Sequence, residues 1–487
     1  MSLSVPTASV LSVTNLPRST PEAQGLSSAG LDGFVATLDA SGQEIQTMML
    51  VRHGHVVLER EWSPYRLSDR HLLFSVSKSF TSMGVGLAVE AGLLSVDDKV
   101  VSFFSGDDLP DKISDNLAAM EVRHLLTMST GHDVDTVDRL GRTGRMVQGF
   151  LRLDVENAPG APFVYNSGAT YMLSAIVQKV TGEKLIDYLR PRLFEPLGAT
   201  EAIWETSDEG INMGGWGLSL NTHSLANFGQ LLLQRGVWNG EQLVPAEWID
   251  AATSAQVDNS VEPNPDWQQG YGYQFWRGRH NTYRGDGAFG QYCLVLPDHD
   301  TALIITSATA DMQATLDLVW ERLLPVLEES SGAAGSTGGV DGASAGDGIA
   351  AGTGELKLPP PAGPPPAPGD GRTYTFPAND TGLSAIRWDA DGSGTFTFAA
   401  ARPWETGSQE IAFAPGDWNE QTYTLTDPVQ RIVTSAHGDG ETYVATMRLL
   451  ETPFVVTLRC RPTGDRLTVD VSYNVGFGKS DHTVVSE

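Results

Sequence analysis

Cysteine is almost absent from this chain: Cys293 and Cys460 are the only two in 487 residues. Each lies inside a strand-like run and the two fall in different parts of the sequence. Buried thiols are therefore expected rather than a disulfide framework. Lysine is scarce as well, with seven against 25 arginines, and basic residues as a whole are outnumbered, giving a net charge of −28. That balance argues against nucleic acid and anionic membrane surfaces as partners. No run approaches 18 apolar residues, so no membrane-spanning helix is expected. The first twenty residues lack both a basic n-region and an apolar h-region of useful length, and the expectation is a cytoplasmic enzyme. Ten histidines form no H-E-x-x-H pair. With two scattered cysteines there is no zinc signature, and no metal or cofactor is expected.

What is present divides the sequence into three parts. Residues 1–328 carry strands near both ends, a helical middle and a closing helix. Thr47–Val51 and Val56–Trp62 flank His53-Gly54 and read as a hairpin. Tyr292–Leu296 and Thr301–Thr306 read as strands, and Met312–Leu327 as a helix with one apolar face. This pattern predicts an α/β (α+β) domain: an antiparallel sheet built from both termini, flanked by helices, with a helical subdomain inserted. Residues 329–371 are a Gly/Ala/Ser-rich and then Pro-rich linker, with no secondary structure expected. Residues 372–487 hold short alternating runs separated by turns. They read as a small all-β domain, an antiparallel barrel or sandwich of lipocalin-like kind.

Within the first part, Ser75-Val76-Ser77-Lys78 places a hydroxyl three residues before an amine at the start of a helix. Residues three apart share a helix face. None of the other six lysines has a serine three residues before it. A serine hydroxyl is a poor nucleophile at neutral pH and needs a base in reach. Lysine is normally protonated, but burial or a neighbouring cation lowers its pKa. The alternative is an ordinary core helix with a capping serine and a solvated lysine. A serine–lysine site also calls for a third group from another segment. Tyr165-Asn166-Ser167 offers one, with Tyr165 on a loop just before a helix.

Six segments together resemble the serine β-lactamase and penicillin-binding-protein superfamily. They are closest to its class C β-lactamase, family VIII carboxylesterase and 6-aminohexanoate-dimer hydrolase branch. The segments are VRHGHVVLER, FSVSKSFTSMGVGLAVEAGLLSVDDKV, VRHLLTMSTGH, FVYNSGATYMLSAIVQKVTG, GGWGLSLNTHSLANFGQLLL and GDGAFGQYCLVLPDHDTALIITS, and the resemblance spans about residues 20–328. It implies a β-lactamase/transpeptidase-like fold, Ser75 as nucleophile, Lys78 as the amine sharing in its activation, and Tyr165 as general base and then acid. It also implies an oxyanion hole made by the backbone N–H of Ser75 and a second N–H from the strand of the third family motif. Matching Phe289-Gly290-Gln291-Tyr292 puts that donor at Gly285, or at Asp286 after a one-residue slip.

Two departures qualify the carry-over. The usual Tyr-x-Asn is Tyr-Asn-Ser, so Ser167 stands where an amide normally meets substrate. The usual Lys-Thr-Gly is missing, which argues against strong β-lactamase activity. Arg284 is either a substitute cation for a substrate carboxylate or a solvated strand-edge charge.

Several apparent motifs carry nothing. Gly342-Ala343-Ser344-Ala345-Gly346 spells G-x-S-x-G inside the linker, without the strand and helix of a nucleophile elbow. His132-Asp133 adjacency does not make a triad. Asp389-Ala390-Asp391-Gly392 reads as a hairpin turn rather than a calcium loop. The expectation is a serine hydrolase acting on small ester or amide substrates through a Ser75 acyl-enzyme. A DD-peptidase or β-lactamase, a peptide-cyclising thioesterase, and a non-catalytic binding protein on the same fold remain as alternatives, and a homo-oligomer is left open.

Overall fold

The computed structural model describes residues 16–140, 144–160, 162–333, 355–401 and 405–487. The G-x-S-x-G match and most of the Gly/Ala/Ser-rich half of the linker lie outside the described residues, as does the start of the chain.

One six-stranded antiparallel sheet organises the first part. Its spatial order is His55–Glu61, Ile45–Arg52, Thr301–Ser307, Gln291–Leu296, Tyr283–Gly287, Trp276–Arg277. The two ends of this part thus meet in one sheet: Leu50 pairs with Leu303 and Met48 with Ile305. Both faces are buried, because alternate residues point to opposite sides of a strand. Met49, Val51, Cys293, Val295 and Ile304 enter one core with Phe80 and Phe228. Met48, Leu50, Leu294, Leu303 and Ile305 enter another with Leu31, Phe34, Leu323 and Leu327. Helix Thr222–Leu233 packs closely on the first face. Gly229 permits this, since a Cβ there would sit 3.0 Å from that of Ala302.

The Ser77–Glu90 helix is enclosed on all sides. Every residue from Ser77 to Ala88 is buried. Gly84 and Gly86 let neighbours close in, and a Cβ at Gly86 would lie 2.5 Å from the Trp248 ring. A helix buried all round can hold polar side chains only if they are satisfied internally. That constraint shapes the site below.

The C-terminal residues form two antiparallel sheets, one of four strands and one of six. They enclose a core that includes Ile386, Phe396, Phe413, Tyr443, Leu458 and Val469. The Asp391-Gly392 segment is the hairpin turn expected, with Gly392 at φ 81° and Trp388 paired to Gly394. The expected linker differs in two ways. The helix that precedes it continues to Ala333, so ordered structure runs past 328. The proline-rich half is not a free spacer: Leu358 N–H donates to Ser63 O at 2.8 Å and Gly438 N–H to Pro364 O at 2.7 Å.

Candidate active site

Ser75 lies in a 3₁₀ turn, Phe74–Val76, that runs into the Ser77–Glu90 helix. The turn is entered through Phe74 at φ 47°, a left-handed backbone rare for a side chain of this size. Lys78 follows on the first helical turn. Its Nζ is 3.1 Å from Ser75 Oγ, 3.2 Å from Ser167 Oγ and 2.8 Å from the backbone O of Gly215. It also lies 4.7 Å from the centre of the Tyr165 ring. Lys78 is 1% exposed. Burial pulls its pKa down from 10.5 to about 8, while Asp135 and Asp286 pull the other way.

Tyr165 is on the loop before helix Ser167–Thr181, with Asn166 as the N-cap accepting from Ala169 N–H. The ring stacks on Trp276 at 5.1 Å. Burial and the nearby Asp286 carboxylate push the phenol well above its ordinary range, and a hydrogen bond with Ser75 offsets only part of this. The shift favours the neutral phenol over the phenolate that the implied base role would use. Asn166 is committed elsewhere: its Oδ1 also accepts from Thr136 Oγ1 at 2.8 Å. Ser167 faces Lys78, as given above.

The strand Tyr283–Gly287 flanks the nucleophile turn. Gly290 N–H donates to Gly287 O, so Gly287 is turned toward its hairpin partner. Antiparallel pairs alternate, which turns Gly285 the same way, opposite Cys293. The N–H groups of Asp286 and Ala288 then face the outer edge. Arg284 shares that parity, opposite Trp276 on the outer strand. Gly285 therefore does not present its N–H to the site; its missing side chain makes room instead, since a Cβ there would lie 2.7 Å from Ser79 Oγ.

Arg284 is not a solvated strand-edge charge. It is fully buried, its Nε bonded to Asp286 Oδ2 at 2.9 Å and its Nη1 to Asp266 O at 2.9 Å. Its guanidinium rests 4.4 Å above Trp267. Its Nη2 has no hydrogen-bond partner but is buried, so in this structure the guanidinium is shielded from solvent. His132 stays apart from the site, bonded through Nδ1 to Thr130 Oγ1 at 2.8 Å and packed on Phe150.

Three contributors were not read from the sequence. Gly215 anchors Lys78 through its carbonyl. Asp135 accepts from Ser167 N–H at 3.0 Å. Trp276 backs Tyr165. The Gly214-Gly215 pair was the available signal, because a Cβ at Gly215 would be 3.0 Å from Ser167 O. Asp135 and Trp276 carry no local pattern that distinguishes them. Among the described residues, no group of three or more His, Cys, Asp or Glu is placed to hold a metal ion.

The arrangement resembles known proteins. A family model described as Beta-lactamase matches residues 32–326. The 6-aminohexanoate-dimer hydrolase of Paenarthrobacter ureafaciens is 25% identical over 286 residues, covering 54% of this chain and 72% of its own. The lovastatin esterase of Penicillium rubens is 26% identical over 171 residues, covering 30% of this chain and 42% of its own. The solved structure of the octameric penicillin-binding protein homologue from Pyrococcus abyssi superposes with a TM-score of 0.50 at 15% identity, covering 94% of this chain and all of that one. At that identity the likeness speaks of the fold.

Proposed function

The chain belongs to the beta-lactamase family, and from that premise we propose that it is a serine hydrolase of small esters or amides acting through a Ser75 acyl-enzyme. The observation that carries the reading is the 3.1 Å contact between Lys78 Nζ and Ser75 Oγ, made by a buried amine whose pKa is near 8. A neutral amine has two N–H bonds and one lone pair. Gly215 O and Ser167 Oγ take the two bonds, leaving the lone pair for the Ser75 proton.

In this mechanism Lys78 is the base, while Tyr165 stays a phenol. Ser75 Oγ attacks the carbonyl carbon as its proton passes to Nζ. The backbone N–H of Ser75 and an edge N–H of the Tyr283–Gly287 hairpin, from Asp286 or Ala288, stabilise the oxyanion. Each such donor contributes about 10²–10³ in kcat. The proton then leaves Lys78 for the departing alcohol or amine, with the Tyr165 hydroxyl bridging. Water repeats the sequence on the acyl-enzyme. The burial of Arg284 supports ranking esterase or amidase above DD-peptidase and β-lactamase, whose substrates carry a carboxylate.

Hydrolysis of p-nitrophenyl butyrate by the wild type, Ser75→Ala and Lys78→Ala tests this. Turnover in the wild type, falling at least 10³-fold in both variants, is the expected result. Wild-type turnover that survives Ser75→Ala would overturn it.

A further inference from the structure

The mechanism leaves one group of side chains unused, and that group adjoins the nucleophile. The ring of Phe74, the residue before Ser75, meets Phe289 at 5.3 Å, Phe454 at 6.2 Å and Phe477 at 5.9 Å. Phe289 in turn meets Phe454 at 6.1 Å and Phe477 at 4.9 Å. Two rings come from the nucleophile turn and the hairpin beside it. The other two come from turns of the C-terminal sheets.

Those turns are fixed in place. Leu72 N–H donates to Glu451 O at 2.8 Å, tying the Phe454 turn to the segment entering the nucleophile. Asn474 joins the two turns, accepting from Val455 N–H at 2.7 Å and donating through Nδ2 to Pro453 O at 3.0 Å. Phe477 stands out within this frame. It is 77% exposed and is the one aromatic residue among the exposed large hydrophobics of the described residues. Gly476 and Gly478 flank it, and a Cβ on either would meet nothing within 4 Å. One side of the ring rests on the cluster and the other lies open to water, an unfavourable arrangement for apolar surface unless something covers it.

We propose that Phe477, seated against Phe289 and Phe74, is the wall of an acyl-binding site, and that the substrates are esters or amides of a bulky apolar acid. This rests on the Ser75 acyl-enzyme reading. The acyl group stays bonded to Ser75 Oγ through both steps, beside Phe74, whose ring meets Phe289 at 5.3 Å and Phe477 at 5.9 Å. A bulky apolar acyl group covers the open side of Phe477. The C-terminal sheets thereby supply part of the specificity of a site whose chemistry lies wholly in the first part of the chain.

The test compares kcat/KM of the full chain for p-nitrophenyl phenylacetate and p-nitrophenyl acetate, in the wild type, Phe477→Leu and Phe477→Ala, with intact-mass detection of acylated protein. The wild type is expected to favour phenylacetyl at least tenfold. Phe477→Ala is expected to cut that preference about tenfold, the factor for losing roughly 1.4 kcal/mol of ring contact, with Phe477→Leu between. An exposed ring can be removed without unfolding the protein, and circular dichroism checks this. Equal preference in the wild type, or an unchanged preference in Phe477→Ala, overturns the inference while an adduct on Ser75 leaves the acyl-enzyme reading standing. No turnover and no adduct with either ester overturns both.

Discussion

Lys78 is held by three oxygen atoms in a nearly dry setting, and in the proposed mechanism its protonation state sets the activity. Its folded pKa, about 8, lies below the ordinary 10.5. The neutral amine is the active form, so kcat/KM should rise with pH through about 8 and level off above it. A pH–rate profile on p-nitrophenyl butyrate checks this. A limb that falls through the same range would contradict a lysine base. Ser167 donates no charge but fixes the direction of Nζ. Ser167→Ala should lower kcat/KM by about five- to tenfold, the loss expected for one hydrogen bond of roughly 1 kcal/mol, with the apparent pKa still near 8. At this scale the sequence was readable where spacing is local. Ser75 and Lys78 share a turn, and Tyr165 precedes a helix that announces itself. Arg284 was not readable, because its side chain meets Asp286 across a pleat and Trp267 from another loop. The upward shift of the Tyr165 phenol was hidden for the same reason: it comes first from burial and then from a carboxylate contributed by the Tyr283–Gly287 strand.

At the scale of elements, the site depends on how closely the nucleophile turn approaches that strand. Gly287 allows it, since a Cβ there would lie 2.1 Å from the backbone O of Leu73. Backbone cannot yield as a flexible side chain does. Gly287→Ala should push the hairpin edge away from Ser75 and lower kcat by about 10²-fold, the cost of one displaced oxyanion donor. It should do so with a far-UV spectrum like that of the wild type; an unchanged kcat would place the oxyanion hole elsewhere. The main sheet was legible because its strands are short, apolar and bounded by turns, and because both ends of the first part supplied them. The hydrogen-bond parity within a strand was not. It is fixed by the three-residue Ala288–Gly290 turn, which placed Gly285 facing its partner and left the edge to its neighbours. In the C-terminal sheets, Leu383–Trp388 and Ser408–Phe413 are weakly marked in the sequence, because only Leu383, Ile386 and Trp388 of the first and Ile411 and Phe413 of the second are buried.

Across the whole molecule, the proposed division into a hydrolase part and a β part is bridged by charge and by packing. Arg448 pairs with Glu44, and Arg431 with Asp69. Tyr65, Val433 and Leu450 form a small apolar cluster between them. Arg448→Ala leaves Glu44 without that cation at a largely buried contact. It should cost about 1–3 kcal/mol of docking. Calorimetry should show a lower Tm for the coupled transition or its separation into two, and a scan superimposable on the wild type would mean that the pair contributes nothing. Docking matters to the proposed acyl-binding site because it carries Phe454 and Phe477 to Phe74, the residue before Ser75. The central claim, however, is covalent. Intact-mass measurement of the full chain after brief exposure to p-nitrophenyl butyrate, followed by peptide mapping, tests it most directly. The account predicts a single butyryl increment located on Ser75 and absent from Ser75→Ala. An increment on any other residue, or one that persists in Ser75→Ala, would contradict it.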